Sequence, residues 1–77
     1  MRQGIKADPI IGKNIRKHRT AKGLTQEQLC AQLQVRGCDL SRGTLAKIEA
    51  GIRHVSAEEL TAIRAVLGIG YGDFFEG

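Results

Sequence analysis

The chain has no apolar run approaching the roughly 18 residues that a membrane-spanning helix needs, and its opening residues MRQGIKADP lack the apolar stretch of a secretion signal. A soluble, cytoplasmic protein with no membrane partner is the expectation. Cysteine is scarce. Cys30 and Cys38 stand in no CxxC and beside no pair of histidines, which provides neither a zinc set nor a disulfide framework. They read as a small core side chain and a loop residue. No segment alternates apolar and polar residues over more than a few positions, and β-branched residues are scattered, which argues against a sheet. Catalytic sets are missing too: His18 and His54 lie far apart without an obvious partner, and neither a Ser/His/Asp set nor a carboxylate pair emerges. Gly68, Gly70 and Gly72 have neither the GxGxxG spacing nor a preceding strand. The expectation is a non-enzyme with no cofactor, no metal and no small-molecule substrate. A chain of 77 residues allows one domain with a modest core and no large cleft.

What the chain does carry is basic charge, unevenly spread. Twelve Lys and Arg face eight Asp and Glu, for a net charge of +4. Residues 1–22 hold seven basic side chains against Asp8 alone, whereas residues 56–77 hold Arg64 against Glu58, Glu59, Asp73 and Glu76. One end can face a polyanion while the other faces away.

Helix boundaries are well marked. Asp8 followed by Pro9 reads as an N-cap and a proline at the first helical position, predicting a helix from Pro9 to about Lys22 that Gly23 terminates. On its wheel Ile11, Ile15 and His18 share a face, with Arg19 at the edge and Lys13, Arg16 and Lys17 turned to water. Thr25 and Gln28 form a capping box, and Leu24 and Leu29 a hydrophobic staple, so a second helix starts at Gln26 and buries Leu29, Cys30 and Leu33. The same device recurs at Leu40, Ser41 and Leu45, and at Val55, Ser56, Glu59 and Leu60, so two more helices begin at Arg42 and Ala57, closed by Gly51 and Gly68. Tyr71 to Phe75 fits a last short helix that adds Phe74 and Phe75 to the core. The expected fold is all-α, five short helices over residues 9–77, preceded by an N-terminal arm, residues 1–8.

The third helix, Arg42–Ala50, has two unlike sides. With Leu45 as reference, Ile48 and Glu49 fall within about 60° of it, while Gly43, Ala46, Lys47 and Ala50 fall roughly opposite. A helix lying in the DNA major groove needs small residues where its backbone nears the bases and donors at the rim for guanine O6 and N7. Gly43, Ala46 and Ala50 provide clearance; Arg42 and Lys47 provide donors.

The segments IGKNIRKHR, KGLTQEQLC, SRGTLAKIEAG, SAEELTAIRAVLGI and DFF, at these spacings, resemble the Cro and phage-repressor (XRE-like) family of helix-turn-helix proteins. The resemblance spans Ile11 to Phe75. It implies a compact, lambda-repressor-like DNA-binding domain in which Arg42, Gly43, Ala46 and Lys47 face bases. Gln26, Thr44 and Arg53 would then contact phosphates, Gln26 also through the N-terminus of its helix. It further implies a structural ion pair between Arg19 and Glu49, which the wheels place at the borders of two packed faces.

Three departures stand out. The stretch from Leu33 to Ser41 is several residues longer than the usual tight turn, so either the second helix runs on or the turn is a loop. Arg36, within it, is a candidate for one more phosphate contact. His18 takes a normally aliphatic position and reads as a core or dimer-edge histidine rather than a ligand, and Gly43 removes a side chain that often reads a base. The functional expectation is a transcriptional regulator, a repressor in the first instance, bound to double-stranded DNA as a homodimer on a pseudo-palindromic operator. Ile69 to Phe75 and the end of the fourth helix are candidates for the dimer contact. A protein-interaction or antitoxin-like adaptor module on the same fold is the alternative.

Overall fold

The structure, a computed structural model, describes residues 9–77. The arm at residues 1–8, with the expected cap Asp8, lies outside the described residues. Four α-helices, α1 (Pro9–Ala21), α2 (Gln26–Val35), α3 (Arg42–Glu49) and α4 (Ala57–Leu67), are followed by a 3-10 segment, Tyr71–Phe75; there is no strand among the described residues. None of these helices is long and apolar enough to cross a membrane.

Local chemistry accounts for the helix starts. Thr25 Oγ1 accepts the Gln28 N–H at 3.0 Å while Gln28 Oε1 accepts the Thr25 N–H at 2.8 Å. Ser56 and Glu59 repeat that reciprocal pair at the start of α4, with distances of 3.0 and 2.9 Å. Two orphan donors are satisfied at each end. At α3 the Ser41 hydroxyl accepts the Thr44 N–H and also donates to Thr44 Oγ1 at 2.9 Å.

The connection from α2 to α3 takes a definite form. α2 runs two residues beyond Leu33 to Val35 and closes on Gly37, whose φ of +84° puts it in the left-handed region where a Cβ would be strained. There the Cys38 N–H reaches back to the Leu33 carbonyl and the Gly37 N–H to Gln34, the paired bonds of a Schellman ending. Gly23 and Gly51 sit in the same hydrogen-bonded pattern after α1 and α3. α1 thus ends at Ala21, with Lys22 already in the turn.

The core gathers Ile11 and Ile15 of α1, Leu29 and Leu33 of α2, Leu45 and Ile48 of α3, and Leu60, Ile63, Val66 and Leu67 of α4, joined by Leu40, Val55 and Phe74. α1 packs against α3 and the 3-10 segment, and α2 against α3 and α4. Cys30 and Cys38 are half-buried against this core, and burial pushes both thiols above their ordinary range. One expectation fails: Phe74 is fully buried but Phe75 is 53% exposed. With three residues per 3-10 turn, consecutive side chains point about 120° apart, and only one of the two can face the core.

Two buried residues of α1 carry long-range contacts that helical periodicity does not announce. At Gly12 a Cβ would collide with the carbonyl oxygens of Ile48 and Glu49, so the absence of a side chain lets α1 lie directly on the end of α3. Asn14 donates from Nδ2 to the carbonyls of Phe74 at 2.9 Å and Glu76 at 2.8 Å, tying the C-terminal segment to the first helix.

Candidate nucleic-acid interface

α3 is held by one side and bare on the other. Leu45 and Ile48 are buried, whereas Arg42, Gly43, Lys47 and Ala50 are exposed, and a Cβ at Gly43 would meet only open space. The connection 36–41 does not cover Arg42, Gly43 or Lys47. Ala46 is half-buried and lines a shallow cleft with Arg16, Arg19, Gln26, Glu49 and Ala50, where α1, the start of α2 and the flank of α3 meet. Arg16 joins this surface through the tertiary arrangement. On its own helix it is simply a solvated side chain, and its place at the cleft has no signal in the sequence beyond lying one turn before Arg19.

The floor of the cleft is a hydrogen-bonded network. Arg19 donates from Nε to Glu49 Oε2 at 2.7 Å and from Nη2 to Oε1 at 3.0 Å, and its Nη1 donates to the Leu24 carbonyl at 2.8 Å. Both side chains are close to fully buried, with 10% and 5% exposed. Glu49 Oε1 accepts a third hydrogen bond, from Gln26 Nε2 at 3.1 Å. Gln26 is thereby anchored, with one amide hydrogen committed to Glu49.

The remaining candidates are more dispersed. Thr44 is half-buried, with its hydroxyl engaged by Ser41. Arg53 grips Glu59 through Nη1 at 2.9 Å and Nη2 at 3.2 Å and donates to the His54 carbonyl at 2.8 Å. That hydrogen-bonded pair raises the Arg53 guanidinium pKa and, more than any other cause, lowers that of the Glu59 carboxyl. Arg36 lies toward α4, lining a groove with Ala57, Glu58, Thr61, Ala62 and Ala65, apart from the cleft that gathers Gln26 and Ala46. The fold also assembles a group that the sequence does not suggest: His18 meets Asp73 and Glu76. In sequence His18 has no partner because these carboxylates lie more than fifty residues away.

A four-helix domain with a bare, basic third helix laid beside the N-terminus of the second is a helix-turn-helix DNA-binding domain. More narrowly, the chain belongs to the helix-turn-helix family of the XRE type, whose family model matches residues 15–74. It is similar to an uncharacterized helix-turn-helix transcriptional regulator of Rickettsia conorii, 36% identical over 72 residues, which cover 94% of this chain and 54% of the relative. The chain thus spans about half the length of that relative. The crystal structure of the restriction-modification controller protein C.AhdI from Aeromonas hydrophila superposes with a TM-score of 0.74 at 32% identity, over 86% of this chain and 92% of that one.

Proposed function

We propose that the protein is a sequence-specific transcriptional regulator, a repressor that acts by occupying its operator with α3 in the major groove. The observation that carries this reading is the bare side of α3, where Arg42 and Lys47 flank the small residues Gly43, Ala46 and Ala50. Arg42 and Lys47 donate to base edges, while Gly43 and Ala46 let the backbone approach. Gln26, Thr44 and Arg53 contact phosphates, with the first-turn N–H groups of α2 adding to the attraction. Arg36, on the α4 side, belongs to the flank of that footprint. Affinity comes from phosphate neutralisation and specificity from α3, with no cofactor and no chemical step.

A single recognition helix spans few base pairs, so we assign a homodimer that sets two of them about 34 Å apart on a pseudo-palindrome. The exposed Tyr71 and Phe75 and the end of α4 supply its contact. Selection of bound duplexes from a random pool tests the reading as a whole: a two-fold consensus is the expected outcome. With about four to six phosphate contacts, log K should fall against log salt with a slope of roughly −4 to −5. Absence of salt-sensitive retention on duplex DNA would leave the adaptor-module reading in its place.

A further inference from the structure

We propose that His18, Asp73 and Glu76 form a binding site for a divalent transition-metal ion of the zinc type. One ligand atom from each residue lies within 4.8 Å of the other two. An ion bound at about 2.1 Å by three such ligands holds them roughly 3 to 3.5 Å apart, so closure asks for movements of roughly 1 Å. Glu76, with half of its side chain exposed, is free to make them.

Three features make this a built arrangement. First, His18 Nε2 is buried without a hydrogen-bond partner; Glu76 Oε1, at 3.9 Å, is too distant to serve as one. In the tautomer with its proton on Nδ1, a neutral imidazole presents a free lone pair at this unpartnered Nε2, as metal ligation requires. Second, Asp73 is oriented by the Gly70 N–H, which donates to Oδ2 at 2.9 Å. This is the outer-shell support that ligating carboxylates commonly have. Third, Asn14 holds the backbone carbonyls of Phe74, next to Asp73, and of Glu76 against α1, keeping this segment beside the histidine. One imidazole and two carboxylates suit zinc, cobalt, nickel or manganese and disfavour a thiolate-seeking ion, and three protein ligands leave positions for water. The competing cation is Lys17, whose Nζ lies 3.8 Å from Glu76 Oε1; it is 61% exposed and swings away at little cost. An ion in this site clamps the segment bearing Tyr71 and Phe75 to the helix that carries Arg16 and Arg19.

The test is a titration of the isotope-labelled full chain with Co2+, followed by amide NMR and calorimetry. The expected result is one equivalent bound, with paramagnetic broadening centred on residues 17–19 and 72–76 and a rise in Tm by mass action. His18→Gln and Glu76→Gln should each weaken binding at least tenfold. Glu76 is a surface residue, so its variant folds as the parent does, and an unchanged melting curve without metal verifies that. No binding at about 1 mM Co2+, broadening centred on Cys30, Cys38 or His54, or parental affinity in both variants would each overturn the site.

Discussion

At the scale of single residues, Glu49 has the most to lose. Its carboxylate accepts two hydrogen bonds from Arg19 and one from Gln26 in a nearly closed setting. Replacing it leaves a buried guanidinium without its partner, and we expect Glu49→Ala to lower stability by roughly 3 kcal/mol, measured by denaturant unfolding. A loss no larger than that of a surface substitution would contradict this. On the reading face the expectation concerns specificity. Arg42→Ala should relax preference at one base pair by about 1–3 kcal/mol, whereas Arg53→Ala should weaken all sequences alike, as binding to a panel of single-base operator variants will reveal. Glu59 supplies a pH signature. Its carboxyl pKa is held below the usual 4.5, chiefly by Arg53, so the stability it contributes is present above the unfolded pKa and is lost as pH falls through the folded one. Unfolding followed from about pH 6 down to 3 should show this loss, and Glu59→Gln should flatten the curve there while lowering stability at neutral pH.

At the scale of elements, the two glycines of the interface region play opposite parts. Gly12 is required by packing, since any side chain would strike the backbone of α3 and shift how α3 sits on α1. Gly43 is required by nothing within the folded chain: its φ is not positive, and a Cβ there touches nothing. On the proposed function, its lack of a side chain lets the backbone of α3 come close to DNA. Gly43→Ala should therefore stabilise α3 by up to about 1 kcal/mol while reducing operator affinity, a divergence between Tm and Kd that a merely structural glycine would not produce. The helix ends themselves were legible in the sequence, because capping boxes and terminal glycines act through neighbours three to five residues apart. The ending of α2 was less so. Two readings of residues 34–40 were open until the bonds at Gly37 and Cys38 settled where the helix stops.

At the scale of the whole molecule, the basic N-terminal half and the acidic C-terminal part fall on different elements. Arg16 and Arg19 of α1 line the cleft beside α3, while Glu58, Glu59, Asp73 and Glu76 belong to α4 and the segments after it. On the proposed function, the cleft side of α1 and α3 faces DNA, and the exposed Tyr71 and Phe75 are the proposed contact with a second copy. Tyr71 and Phe75 are 48% and 53% exposed, so substituting Phe75 should spare the core. Phe75→Ser is expected to raise the dissociation constant of the proposed dimer about tenfold, the equivalent of roughly 1.4 kcal/mol, with little change in monomer melting. Sedimentation across a concentration series will measure it.

The sequence by itself determined the four helices, the caps at Thr25, Ser41 and Ser56 and the apolar stripe along each helix, because those depend on near-neighbour hydrogen bonds and on helical period. It also displayed the small and basic side of α3. Only the tertiary structure decided that Asn14 binds the C-terminal backbone, that Gln26 shares Glu49 with Arg19, that Arg53 is held by Glu59, that Phe75 points outward, and that His18 faces two carboxylates. These pairings depend on how elements far apart in sequence cross and approach. That geometry is set by all the packed faces at once, so no single stretch of the chain encodes it.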